Sequence, residues 1–478
     1  MLESQAAPHR VAYWFTVGIR CGWLLVAGAS CGRIDFDSTR PREDGAVPGL
    51  SPLAHVASTT LDVRCGTPEF TAGGLAISDA GEVFVGGCFS GDARFGPTTY
   101  TAAATESGYI LDLDAQLRYR AVVRYGAVGT SDVIGMAIAA SSLFVSGTFE
   151  GTIGLGGNAL TSAGADDLFG ARFSIDGSLA HQWSGRFGST DDEGFSGGLT
   201  ARADGAMYIG GGCNGTFSFG TQSLPGSSLD PCLGVVRDGV ELAAFRWPGA
   251  NTGGVYAIAL GTTGELVLGG DFNTEPPFPG IGVGKNDDGF VARFAPDFSL
   301  RWAVGILSDG DDTVRDVELD DAGDVYASGF ANASLTIAGA VFPNRGGYDG
   351  WVARFGPAGQ LVWATTIGGS GDDSIRAALP VGDDVVIAGN FTGTIVVGAD
   401  TLVSAGDADI FVAALSATDG TVRWARRFGG PLRDYVRRLV RAGSRYFLTG
   451  FVTPPIDLGG GSLPGTTDSL FVLELAAP

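Results

Sequence analysis

Residues 385–393 read VVIAGNFTG, and six other stretches carry the same β-rich pattern. They are VFVGGCFSG from Val83, LFVSGTFEG from Leu143, MYIGGGCNG from Met207, LVLGGDFNT from Leu266, VYASGFANA from Val325 and YFLTGFVTP from Tyr446. Successive starts differ by 60, 64, 59, 59, 60 and 61 residues, so one unit of about 60 residues recurs seven times. Outward from the repeated stretch, four strands can be read in each unit, bounded by Gly, Asp and Pro. In the fifth unit they are RDVELDD, DVYASGF, DGWVARFG and QLVWATT. A longer connection holding a hydrophobic–Gly pair separates the second strand from the third. The fourth strand carries an aromatic residue, read as Tyr119, Trp183, Trp247, Trp302, Trp363 and Trp424.

The two ends of the repeat decide between a ring and a line. The seventh unit reaches only its third strand, LFVLELAAP, while LAHVASTTL from Leu53 precedes the first unit and aligns with LVWATTIGG, setting His55 against Trp363. Three strands completed by one from the far end of the chain close a ring, which removes exposed sheet edges. A linear solenoid has no reason to split its last unit. The expected fold is therefore all-β: a seven-bladed β-propeller over residues 53–478, four antiparallel strands per blade. Blades start near 66, 127, 189, 249, 308, 369 and 430, and strand 53–61 completes the seventh.

Residues 347–393, GYDGWVARFGPAGQLVWATTIGGSGDDSIRAALPVGDDVVIAGNFTG, carry the pattern D-x-F-V-A-[KR]-F, G-x-L-x-W, G-G-x-G-D-D and G-[DN]-V-Y-V-x-G. This resembles the seven-bladed β-propeller repeat of bacterial and archaeal cell-surface and secreted proteins. The resemblance runs from about residue 53 onward; units 5 and 6 fit best, and unit 3 departs most, with FRWPGANTGG in place of its acidic corner. It implies the fold and an extracytoplasmic location, and names no ligand or activity.

Arg10 and Arg20 precede the apolar run CGWLLVAGAS, of signal-peptide length and too short to span a bilayer. Gly28-Ala29-Ser30-Cys31 resembles a bacterial lipoprotein signal, in which Cys31 becomes the lipidated first residue. Gly28 stands where Leu is usual, and Ala27-Gly28-Ala29 also fits ordinary signal cleavage, which gives a secreted protein. Residues 1–30 are thus read as signal and 31–52 as a tether rich in Pro, Gly and charge. Export favours disulfides among Cys65, Cys88, Cys213 and Cys232. Three connectivities are open, and neighbours in sequence, Cys65–Cys88 and Cys213–Cys232, are the expected pairs.

The chain has 78 Gly, 45% hydrophobic residues and a net charge of −22 with no basic stripe. That balance argues against nucleic acid as a partner. Acidic corners precede most first strands, at Asp132, Asp192, Asp312, Asp373 and Asp434. A second set, Asp167, Asp288, Asp349 and Asp409, precedes third strands. The two sets share one face. Each Asp is expected to cap a turn; as ligands they would present an acidic ring to a cation or a basic partner. GGSGDDSIR (368–376) fits the calcium nonapeptide of β-helices, but that motif works in tandem. Calcium is the one cofactor the corners suggest, and no metal set stands out. His55 and His181 are isolated, and Gly194–Gly198 fits G-x-S-x-G without a strand-to-helix elbow. PGIGVGKN (279–286) lacks the Ser/Thr and spacing of a phosphate loop. The expected function is a monomeric, non-catalytic scaffold of the cell envelope, anchored by lipid alone, that binds a protein, glycan or cation. The alternative is an extracytoplasmic lyase or hydrolase with its site at the channel mouth.

Overall fold

The repeated stretch is the second strand of each blade, and its fifth residue is always glycine. The computed structural model describes residues 52–476 except 67–70, 127, 194–196, 249–251, 284 and 464–467. The signal, Cys31 and the tether up to residue 51 lie outside the described residues, as does Ser196 of the G-x-S-x-G stretch. At Gly147, Gly270, Gly329, Gly389 and Gly450, a Cβ would sit 1.9–2.2 Å from a carbonyl oxygen of the first strand or, at Gly147, of Asp132 in the corner leading into it. At four of these it would also lie 2.6–3.0 Å from the ring of the facing third-strand residue, Phe169, Phe290, Phe411 or Phe471. Glycine there lets the first strand close onto the second while an aromatic ring covers it. In blade 3 the facing residue is Cys232, opposite Gly211, and a disulfide to Cys213 takes the place of the ring.

Seven antiparallel sheets follow one another along the chain, the first six with their four blade strands in sequence order. Blade 5 is representative: Asp312–Leu319, Val325–Ala331, Asp349–Phe355 and Leu361–Ile367. The first strands pack successively against one another, and the seventh packs against the first, so they ring a central channel. The seventh sheet is Asp434–Ala442, Arg445–Val452 and Ser469–Ala476, completed by Ala54–Leu61. The ring closes as expected. Apolar clusters fill the spaces between sheets, as in the one joining blade 7 to blade 1 through Phe447, Val472, Phe89 and Tyr109.

The connection between second and third strands is a small hairpin in blades 1, 2, 3, 5, 6 and 7. Those of blades 3 and 5 pair with the preceding blade's outer strand (Phe187 with Phe219, Ile306 with Ile337), covering an edge that would otherwise be open. In blade 4 the Pro-rich segment 275–282 replaces it, sinking Phe278 against Trp247, Phe290 and Phe294.

The register corrects the alignment of the outer strand. Every outer strand carries a bulge at one level: Leu361 pairs with Phe355 and Trp363 with Arg354. In blade 7, His55 pairs with Leu475 and Ala57 with Glu474, so His55 stands at the Leu361 level and Ala57 at the Trp363 level. Likewise Ala121, not Tyr119, and Ala243, not Trp247, hold the tryptophan level in blades 1 and 3. The bulge removes one residue from the count, which spacing alone cannot show. The tryptophans at this level join blades: Trp302 Nε1 donates to Pro357 O (3.0 Å) and Trp363 Nε1 to Ala417 O (2.7 Å).

Both expected disulfides are present. Cys213–Cys232 links strands two and three of blade 3. Cys65–Cys88 ties the segment leaving the closing strand to blade 1.

Candidate binding face at the channel mouth

The acidic corners fold inward. Asp132, Asp312, Asp373, Asp434, Asp167, Asp288, Asp349 and Asp409 are all buried, whereas Asp192 is exposed. In the GGSGDD corner, Gly369 N–H donates to Asp373 Oδ2 (2.6 Å) and Thr392 N–H to Oδ1 (3.1 Å). Asp434 repeats this with Gly430 (2.6 Å) and Thr453 (3.0 Å). Asp132 accepts from the N–H and hydroxyl of Thr148, and Asp312 from Ser308 Oγ. Asp132, Asp373 and Asp434 thereby join the entry to their own first strand with the exit of the second.

The other set binds its own turn. Asp167, Asp349 and Asp409 accept the N–H four residues back, from Ala163, Arg345 and Ala405 at 2.8–2.9 Å. Arg186 and Arg427 then pair with Asp167 and Asp409. The two sets meet across blade junctions, where Asp349 faces Asp373 and Asp409 faces Asp434. Burial, with the neighbouring carboxylate adding to it, pushes Asp373 and Asp434 up to about 7 and Asp312 up to about 9. Burial also raises Asp132 to about 7. Glu193 takes the corner position in blade 3, with its N–H on Asp166 O, and burial raises it to about 8. Among the described residues, one set of three metal-capable groups lies within 4.8 Å: Cys65, Cys88 and Glu106, whose two sulfurs are bonded to each other.

The histidines serve the rim. His55 Nε2 pairs with Ser58 Oγ (3.1 Å) and His181 Nε2 with Ser184 Oγ (3.0 Å), each under a hairpin glycine pair of its own blade.

The channel itself was not read from the sequence. First strands of blades 4 to 7 each carry one extra residue at the same level: Tyr256, Arg315, Arg376 and Arg437. Just inside, the partly buried Arg438 reaches along the ring to the next two blades, donating from Nε to Gly73 O of blade 1 and from Nη2 to Ile134 O of blade 2, both at 2.8 Å. Asp316 lies in the same layer; it accepts Ala378 N–H (2.9 Å), and the Arg438 charge opposes the rise that burial imposes on it. A polar layer thus links neighbouring first strands beneath the arginine level. The sequence carries a signal for it, because VRD, IRA and VRR recur at one position of units 5, 6 and 7.

No protein-family model matches the chain, and no curated protein matches it. Solved structures resemble the chain at low identity. BamB from Moraxella catarrhalis is 12% identical over 89% of this chain and 100% of its own (TM-score 0.40). The Pan2 WD40 domain of Neurospora crassa is 9% identical over 85% of this chain and 89% of its own (0.43). The quinohemoprotein alcohol dehydrogenase of Comamonas testosteroni is 11% identical over 89% of this chain and 76% of its own (0.44).

Proposed function

We propose that this chain is a non-catalytic, exported binding scaffold, lipidated at Cys31 and held off the cell envelope by residues 32–52. Its ligand is taken on the face that carries the fourth-to-first and second-to-third connections. One observation carries this reading: the side chains suited to chemistry are spent on the ring itself. Both described histidines hold hairpins on the rim, the four described cysteines form two disulfides, and the corner carboxylates accept backbone N–H groups. Two disulfides also suit an oxidising compartment. Calcium at the corners would be an addition to this capping, competing with N–H donors already in place.

The test is expression of the full chain in an export-competent bacterium with a lipid-chain label. Wild type should carry the label and sediment with membranes, whereas Cys31→Ser should lose both. Unlabelled wild type retained in the cytoplasm would overturn the proposal.

A further inference from the structure

Given the binding-scaffold reading, we propose that the cleft between blades 2 and 3, on the face of the corner turns, is a binding site for a neutral sugar. The cleft holds about 560 Å³ between the corner 188–191, the blade 3 hairpin from Gly215 and residues 226–227. Three features lead there. The first is a departure from the repeat. Counted two residues back from the corner acid, units 2, 5, 6 and 7 have Thr130, Gly310, Gly371 and Leu432, whereas unit 3 has Asp191. Gly310 and Gly371 lie under Asn332 and Thr392, where a Cβ would collide. Asp191 instead extends over Gly215, a residue at φ 52° whose Cβ would come 2.0 Å from Asp191 Oδ2. This carboxylate lines the cleft.

The second feature is that the polar groups of the cleft are unspent. The hydroxyls of Thr190, Thr216, Ser218 and Ser227 line it with Asp191. Among the described residues, neither these hydroxyls nor the Asp191 carboxylate has a hydrogen-bond partner; Asp191 bonds only through its N–H, to Ser189 Oγ (2.9 Å). That sets Asp191 apart from Asp373 and Asp434, whose carboxylates accept backbone N–H groups.

The third feature is a wall held in advance. Arg246, with its side chain 3% exposed, donates to Asp230, Gly215 O, Leu224 O and Ser228 O. Arg186 and Arg427 stand at the same level of blades 2 and 6 with side chains 30% and 26% exposed. The disulfide Cys213–Cys232 fastens the start of the same hairpin. The volume is that of a small-ligand pocket, which is usually lined by apolar and aromatic groups. Here no aromatic ring and no aliphatic side chain larger than alanine lines it, so the ligand is polar throughout. Arg186, the one cation of the lining, is already bonded to Asp167 (2.6 Å), so an anion gains little. A carboxylate accepts two neighbouring hydroxyls, and Ser and Thr both donate and accept. Adjacent hydroxyls on a small neutral molecule are the chemistry of a sugar, free or within a glycan.

Ligand-observed NMR titration of the full chain tests this. The probes are glucose, galactose, mannose, N-acetylglucosamine, maltose and cellobiose, with glucuronate as the charged reference. Wild type should bind at least one neutral sugar. Asp191→Ala should weaken it about tenfold or more, as expected for losing hydrogen bonds to a charged group. Thr216→Trp, at an exposed position, should fill the cleft and abolish binding. Asp407→Ala, which removes an exposed acid from the same face of blade 6, should bind as wild type does. Melting curves confirm that each variant is folded. A bound monosaccharide shows that one sugar suffices, and binding of a disaccharide alone assigns the cleft to a chain of sugars. Binding of none of the six, unchanged affinity in both cleft variants, equal weakening in Asp407→Ala, or tighter binding of glucuronate than of glucose would overturn the site. A response to calcium chloride that Asp191→Ala removes, with no sugar bound, would give the position to a cation and overturn it too. None of these failures touches the lipid-label result. Chemical alteration of a bound sugar would instead overturn the non-catalytic reading and leave the site standing.

Discussion

The ring is made of two unlike arcs. In blades 4 to 7 the first strands span 8, 8, 8 and 9 residues, each with a bulge, and these blades hold no disulfide among the described residues. In blades 1 to 3 the first strands span 4, 5 and 3 residues without a bulge, and both disulfides lie in this arc. A shorter inner strand leaves fewer ladder hydrogen bonds; in this arc one disulfide links strands two and three of blade 3 and the other ties the segment after the closing strand to strand two of blade 1. The long arc has hydrogen bonds to spare and uses its extra residues to place cations in the mouth.

Arg438 joins the arcs, and breaking it should have the largest effect. Arg438→Met removes two charge-assisted bonds to Gly73 and Ile134 and leaves Asp316 without its neighbouring cation. Loss of one partner from a buried charged network costs about 3–5 kcal/mol, measurable by chemical denaturation. A cost below that of a lost disulfide would mean that the arcs do not depend on this crossing.

Removing Cys213–Cys232 by a double Ala substitution should cost about 3 kcal/mol by the loop-entropy estimate. Its partner Cys65–Cys88 closes a loop of similar length, 23 against 19 residues, and should cost about as much. In either variant hydrogen exchange should rise first in blades 1 to 3. Equal loss of protection in blades 4 to 7 would dissolve the distinction between arcs. Next in size is Asp434→Ala, which strands the N–H groups of Gly430 and Thr453 at about 1–3 kcal/mol.

The corners also set a pH dependence. Asp132, Asp312, Asp373, Asp434 and Glu193 all have folded-state values raised above their unfolded ones. The folded chain holds protons that the unfolded chain releases, so stability is fullest at low pH and is lost as pH rises through about 7 to 9. The melting temperature should fall between pH 5 and pH 9, and Asp312→Asn should flatten the upper part of that fall. A rise over the same range would show that a cation or other partner neutralises the corners.

Much of the fold was legible because it is written seven times. A period near 60, a glycine facing an aromatic ring and a split last unit leave little freedom. The disulfides followed from which cysteines are neighbours in sequence. The corner aspartates were legible as turn caps, because short carboxylates before a strand have N–H groups within reach. What spacing could not show was any displacement by bulges: His55 stands two positions from the level that spacing gives it, and the common level of Arg315, Arg376 and Arg437 emerges only once the bulges are placed. A bulge changes which way a side chain points without changing the composition around it. The small hairpins were missed for another reason, since two- to four-residue strands carry too little periodicity to be read.

The smallest effect tests that displaced register directly. Trp183, Trp302 and Trp363 each lie against a glycine in the turn of the following blade, at Gly239, Gly359 and Gly420. Where Ala57 holds the tryptophan level, the matching turn residue is Leu117, a non-glycine at φ 58° that packs in the same cluster as Ala57. At Ala243 the following turn carries Phe298, at φ 63°. At these two junctions a bulky turn residue fills the space that tryptophan takes elsewhere. Ala57→Trp alone should therefore destabilise by overpacking, by about 1–3 kcal/mol. Leu117→Gly alone should lose its contacts while relieving a strained backbone. Combined, the two should recover part of the loss, with a coupling energy of about 0.5–3 kcal/mol in a double-mutant cycle. Had His55 held the tryptophan level, His55→Trp would be the variant that Leu117→Gly rescues; rescue of that variant and not of Ala57→Trp would return the register to the unbulged alignment.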